Sequence, residues 1–145
     1  RLGIATILDA DRADAQVFEP LLPLADHAVF SEPALRRFAG SAADHALASL
    51  ARFNCRVTAV TRGSSGVSWY QGGQVKMCPA LPVVAIDTTG AGDVFHGAYA
   101  LAVGAGLMVA DAMSFASAAA ALKCTRAGGR SAIPFIEDCL AFMRT

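Results

Sequence analysis

Short apolar runs alternate along the chain with stretches of helical period, and this alternation sets the expected elements. The opening run Leu2-Gly3-Ile4-Ala5-Thr6-Ile7-Leu8-Asp9 has the look of an internal parallel strand buried on both faces. Asp9-Ala10-Asp11-Arg12 follows as a turn and helix start, and 13–24 reads as a helix that Pro20 and Pro23 shorten or break. His27-Ala28-Val29-Phe30 is a second short strand. Ser31 suits a helix cap and Pro33 a first turn, so a helix is expected from Pro33 to about Phe38, stopping at Gly40. Leu47, Leu50 and Ala51 share one face of a further helix over 42–52.

Arg56 to Thr61 reads as a third strand, ending in Arg62-Gly63-Ser64-Ser65-Gly66. Val67–Tyr70 and Gln74–Met77, separated around Gly72-Gly73, form a hairpin pattern. Val83 to Ile86 is expected as a short strand, and alanine-rich helices over 92–103 and 109–123 come next. A last helix fits 135–143, after Gly128-Gly129 and Pro134. Strands alternating with helices, plus one antiparallel hairpin, predict an α/β domain with a mostly parallel sheet.

Composition narrows the class. The chain has 145 residues, 54% hydrophobic and 17% charged, enough for one domain with a real core. With 12 basic and 12 acidic residues, no electrostatic footprint for nucleic acid or an anionic membrane appears. The apolar stretch Ala116 to Leu122 falls well short of the ~20 residues that span a bilayer. No signal-peptide pattern opens the chain, and the start directly in an apolar run is expected of a piece of a longer protein. Cys55, Cys78, Cys124 and Cys139 show no Cys-x-x-Cys spacing, so buried free thiols in a reducing cytoplasm are expected rather than a zinc site or disulfides.

The chemistry concentrates at Thr88-Thr89-Gly90-Ala91-Gly92-Asp93. A turn almost free of side-chain bulk leads into a helix with Asp93 in its first turn. Bare backbone N–H groups at a helix N-terminus suit a phosphate, and Asp93 beside them could accept a proton from an attacking hydroxyl. A glycine turn with a capping acid explains the same residues without function. The string is neither a Walker A loop, since no Gly-Lys-Ser/Thr follows, nor a dinucleotide fingerprint, since Gly97 comes too late. Elsewhere, Trp69 and Tyr70 read as strand packing, His27 and His45 as structural, and His96 either as a phosphate contact or as a helix-surface or packing residue. Arg126 and Arg130 read as solvated loop residues, and Asp9 either as a cap or as a ligand group at a strand end.

The whole string Asp87-Thr88-Thr89-Gly90-Ala91-Gly92-Asp93-Val94-Phe95-His96-Gly97 closely resembles the C-terminal signature of the ribokinase-like (PfkB-type) carbohydrate kinases. Thr61-Arg62-Gly63-Ser64-Ser65-Gly66 resembles that family's Thr-x-Gly-x-x-Gly nucleotide loop. Phe115 to Arg126 resembles its adenine-flanking helix, and Gly128-Gly129-Arg130 through Pro134 its closing loop.

The resemblance implies a three-layer ribokinase-like fold, here its nucleotide-binding and catalytic C-terminal half, with the sugar-binding and lid half absent. It implies ATP-dependent phosphorylation of a sugar or sugar-derivative hydroxyl. Asp93 would be the general base, and Gly90, Ala91 and Gly92 the anion hole. Ser31, Thr61, Gly63, Ser64, Gly66, Gly92 and Ser117 would bind nucleotide, with magnesium arriving on ATP. Asp87 and Thr89, with backbone carbonyls near Arg126 and Gly128, would hold a monovalent cation such as K+.

One departure stands out: relatives often carry Asn-x-x-Glu where this chain has Ser31-Glu32-Pro33-Ala34. Glu32 is then either a substitute at the phosphate site or only a first-turn acid. Residues 26–33 and 121–126 look most like the sulfofructose kinase branch, but both lie on the nucleotide side and leave the sugar open. Partners are expected to be the sugar and ATP, with a homodimer as the candidate assembly. The isolated chain is expected to turn over weakly or not at all. The competing reading is a nucleotide-binding remnant or regulatory module without catalysis.

Overall fold

The computed structural model describes residues 3–11, 15–40 and 43–144, which divide into two compact units. The first comprises residues up to 63 and 67–77; the second comprises 64–66 and the chain from 78 onward.

The first unit is built on a sheet of five strands in the order β1 (Ile7–Ala10), β2 (His27–Ser31), β3 (Val57–Thr61), β4 (Val67–Gln71) and β5 (Gln74–Cys78). Strands β1, β2 and β3 run parallel, and β4 turns back antiparallel to β3. The apolar runs at β2 and β3 are the reason they lie centrally: four of five residues in each are buried. Gly72 and Gly73 both adopt positive φ, 60° and 84°, as the two-residue turn between β4 and β5 requires. Trp69 is buried, in keeping with a packing role.

The opening strand is shorter than expected and sits at the sheet edge among the described residues, with Ile4 73% exposed. Residues before it are held by polar groups instead. The Thr6 amide and hydroxyl each donate to Asp26 Oδ2 at 3.0 Å, and Thr6 O accepts from the His27 amide at 3.0 Å. Pro20 and Pro23 break the next helix as expected. It is reduced to α1 (Ala15–Phe18) and a 3-10 turn at Leu22–Leu24. Its expected first residues, 13 and 14, lie outside the described residues, as do 41 and 42.

Two further helices, α2 (Glu32–Ala39) and α3 (Ala43–Ser49), pack on the sheet. Ser31 caps α2 by accepting from the Ala34 amide at 3.4 Å, and Gly40 ends it at φ 62°. Phe30 centres the core, with Phe18 edge-on at 5.8 Å and Phe38 tilted at 5.8 Å; Leu22, Leu35, Leu47 and Leu50 fill around it.

The second unit is helical: α4 (Ala91–Gly104), α5 (Val109–Cys124) and α6 (Ile136–Phe142), with α5 packed against both others. Ala112, Ala116, Ala118 and Ala119 of α5 are buried, and their small size permits a close approach. Residues Val83 to Ile86, expected as a strand, form none. Val84 is 85% exposed and Ile86 67% exposed. The amides of Ile86 and Asp87 instead share one acceptor, the Cys124 carbonyl at the end of α5, at 2.7 and 3.1 Å. An extended apolar segment whose amides go to a helix end has no ladder to join.

Gly66 lies against the backbone of residues 78–80. At its φ of 87° a Cβ would overlap the Cys78 carbonyl oxygen and stand 2.7 Å from the Ala80 nitrogen. Gly63, at φ 54°, has open space around it. Gly66→Ala is therefore expected to lower stability by roughly 2–5 kcal/mol, from backbone strain plus overpacking. Gly63→Ala should cost only about 1 kcal/mol from strain alone. Urea denaturation midpoints of the two variants check the contrast.

Candidate active site

The turn before α4 is organised by Asp87. Its Oδ1 accepts from the Thr89 amide at 2.9 Å, and the Ala91 amide donates to Thr88 O at 3.1 Å. Gly90 closes the turn in the left-handed region, at φ 74°, and stands at the N-cap of α4, where no side chain caps the helix. The first amides of α4 thus lack the side-chain acceptor that most helix starts carry, and the helix dipole places positive potential there.

Gly92 and Asp93 are exposed in that first turn. A Cβ added to Gly92 would meet nothing within 4 Å, so no protein packing demands a glycine there. Asp93 Oδ2 lies 3.6 Å from the position that a Cβ on Gly90 would take, which sets the carboxylate over the turn. His96 holds its Nδ1 2.8 Å from the Gly92 carbonyl, one turn back along the helix. Beside Asp93 the second unit has a cavity of about 300 Å³, lined by Val94, Ala98, Leu101, Phe115 and Ile133 among others. Asp93 is the one charged side chain in an otherwise mostly apolar lining.

Beneath the turn lies Lys123, a residue that sequence reasoning left without a role. It is 1% exposed, and its ammonium donates to the Asp87 carbonyl oxygen at 2.9 Å and stands 3.6 Å from Asp87 Oδ2. That Oδ2 also accepts from the Gly128 amide at 3.1 Å. One aspartate therefore joins the turn before α4, the last turn of α5 and the loop after α5. Hydrogen bonds from the Thr89 amide and hydroxyl lower the Asp87 carboxyl most. The Gly128 amide adds to them, burial opposes, and Lys123 adds a smaller pull; together they hold it at about 2. The sequence signal that was available is a lone lysine in an alanine-rich helix, since a lysine that is buried must be paired.

Of the residues expected to bind nucleotide, Ser31 and Thr61 belong to the first unit. They are register partners at the C-terminal ends of β2 and β3. Thr61 Oγ1 donates to Phe30 O at 3.4 Å, and Ser31 Oγ serves the α2 cap. Gly63 begins an exposed 3-10 turn, and Ser64 is likewise exposed. Ser117 is buried on α5 at 9% exposure. Glu32 pairs with Arg36 one turn along α2 at 2.9 Å, as a first-turn acid does. Arg126 stands 3.9 Å from Asp138. All four cysteines are free, Cys139 buried and the others half-buried. Among the described residues no group of three His, Cys, Asp or Glu side chains gathers to hold a metal ion, and no helix is long and apolar enough to cross a membrane.

Residues 3–136 match the family model of the pfkB family carbohydrate kinases. A fructokinase from Klebsiella pneumoniae is 37% identical over 127 residues, covering 81% of this chain and 41% of that protein. Among solved structures, the ribokinase of Thermotoga maritima superposes with a TM-score of 0.88 at 30% identity, over 100% of this chain and 50% of its own. The Arabidopsis thaliana ribokinase, complexed with ribose and ATP, gives 0.85 at 26% identity, over 99% of this chain and 48% of its own. The fold is the α/β fold of these ribokinases, and the chain spans about half the length of the relatives it matches.

The lowered Asp87 carboxyl carries a pH signature. A carboxylate depressed in the folded state contributes stability that is fully present above its unfolded value, about 4, and is lost as pH falls through its folded value, about 2. Asp87→Asn should be destabilised at neutral pH, and its deficit against the parent should shrink between about pH 4 and about pH 2. Urea unfolding across that range measures the narrowing gap; a constant gap would rule out the charge of Asp87 as the source.

Proposed function

Because the chain belongs to the pfkB family of carbohydrate kinases, we propose that it is the nucleotide-binding and catalytic part of an ATP-dependent kinase for a sugar or sugar-derivative hydroxyl. The observation that carries this reading is Gly92. A glycine in an exposed helical turn destabilises the helix by roughly 0.5–1 kcal/mol relative to alanine. Its missing side chain relieves no contact within the protein. The room it leaves is then room for a ligand over uncapped helix amides, the environment that suits a phosphate.

In the proposed reaction the sugar hydroxyl oxygen attacks the γ-phosphorus of ATP. The bond from that phosphorus to the bridging oxygen breaks, ADP departs, and the hydroxyl proton passes to Asp93. Gly90, Ala91 and Gly92 form the bare turn of the anion hole in this reading; the Ala91 amide is held by Thr88 O, and the amides of Gly90 and Gly92 face the phosphoryl oxygens, where preorganised donors stabilise spreading negative charge. Magnesium enters on ATP, held by phosphate oxygens and water.

Ser31, Thr61 and Gly63 of the first unit are nucleotide contacts in this reading, as are Ser64, Gly66 and Ser117 of the second. It is supported by Ser31 and Thr61 ending adjacent parallel strands, where open α/β sheets bind ligands. The relative solved with ribose and ATP supports the same pair of substrates. The likeness of 26–33 and 121–126 to the sulfofructose kinases leaves the acceptor open, so the panel sets a sulfonated sugar beside fructose and ribose. The reading includes a reducing, cytoplasmic setting, supported by four free thiols. Since the chain spans about half the length of the relatives it matches, it is expected on its own to turn over weakly or not at all.

Coupled ADP-release assays over that panel test the activity. Asp93→Asn should leave ATP affinity within about twofold and reduce kcat by roughly 10²–10⁴-fold, the range for a lost general base. Near-normal turnover would remove Asp93 from the mechanism. Gly92→Ala should be as stable as the parent or up to about 1 kcal/mol more stable, yet bind ATP more weakly. Equal ATP affinity in that variant would mean the bare turn serves no phosphate.

A further inference from the structure

The family resemblance implies a monovalent cation at Asp87, and the Asp87 oxygens that would hold it are already engaged by the protein's own donors. The Asp87 carboxylate has Oδ1 bound to the Thr89 amide, Oδ2 bound to the Gly128 amide, and the ammonium of Lys123 3.6 Å away. The Asp87 carbonyl takes the same ammonium at 2.9 Å. Carbonyls at the end of α5 are engaged as well. Leu122 O accepts the Thr125 amide and hydroxyl at 3.1 and 2.7 Å, and Cys124 O accepts the amides of Ile86 and Asp87. Lys123 is 1% exposed, so its charge cannot swing out into water to make way.

We propose that the Lys123 ammonium is a tethered substitute for the monovalent cation, ordering the loop that leads to α4 without potassium. The charge is equal, and the donor sits in the last turn of α5, where the helix dipole favours a cation. A second cation on Asp87 would meet an ammonium already within 4 Å of the carboxylate, and like charges repel at that range. Lys123 is thus a positioning residue acting through Asp87. Only the purpose of the ordered loop rests on the kinase reading; the ordering itself rests on these contacts.

Thermal unfolding in choline, sodium, potassium and rubidium chloride at matched ionic strength tests the substitution without any substrate. The parent protein should melt within about 1 °C in all four salts, since a cation that finds no site cannot stabilise the folded state. A rise specific to potassium or rubidium in the parent would overturn the proposal. Lys123→Ala removes the ammonium and leaves space. It should melt lower than the parent in choline and recover part of the loss in potassium or rubidium; a folded Lys123→Ala that ignores both ions also overturns it. Should that variant fold in none of the salts, Lys123→Gln takes its place under the same criteria. Affinity for a fluorescent ATP analogue, measured in the same salts, separates the two readings. Absence of nucleotide binding by the parent in every salt would sink the kinase reading, while the melting series would still judge the role of Lys123.

Discussion

An ammonium taken out of water is costly unless its charge and hydrogen bonds are returned inside the protein. Lys123 recovers both from a single residue, and much of the second unit follows from that pairing. Asp87 must present its carbonyl and one carboxylate oxygen downward to the lysine. Its other oxygen is then free to fold the Asx turn onto Thr89, which delivers Gly90 in the left-handed conformation from which α4 starts. The same carboxylate draws in the Gly128 amide, so the loop after α5 is set from the same point. A chain of local hydrogen bonds thereby converts one buried charge into the placement of an uncapped helix N-terminus.

Most of the secondary structure was legible in the sequence because its signals are local. Gly40 ends α2, Pro20 and Pro23 interrupt the helix before β2, and Gly72-Gly73 turns the hairpin, each through its own backbone preferences. The errors arose where a distant partner decides the outcome. Val83 to Ile86 has strand composition, but strand formation needs a neighbour, and its last amide, at Ile86, goes with that of Asp87 to the end of α5 nearly forty residues on. The first run has the pattern of a doubly buried strand, yet Thr6 and Asp26 bind each other's polar groups and hold its beginning as an irregular segment.

The candidate site was legible in a different way. Gly90 to Asp93 carries its meaning in small size and helix-start position, both visible in the sequence. Lys123 does not, because burial is a tertiary property, and a lysine near a helix C-terminus is ordinarily solvated. Ser31 and Thr61 lie between these cases. Their strands could be anticipated, but their pairing in register at neighbouring strand ends required the sheet. Glu32 shows the opposite outcome, for its side chain is spent on Arg36 within its own helix.

The amides of Ile86 and Asp87 both hang from the carbonyl of Cys124, and the ammonium of Lys123 grips the same stretch from below. Mechanically, the turn that starts α4 is therefore carried on the tail of α5 rather than on α4 itself. Any displacement of α5 along its axis would therefore pull on the Asp87 turn. In such an arrangement α5 is the lever and the glycine turn its tip.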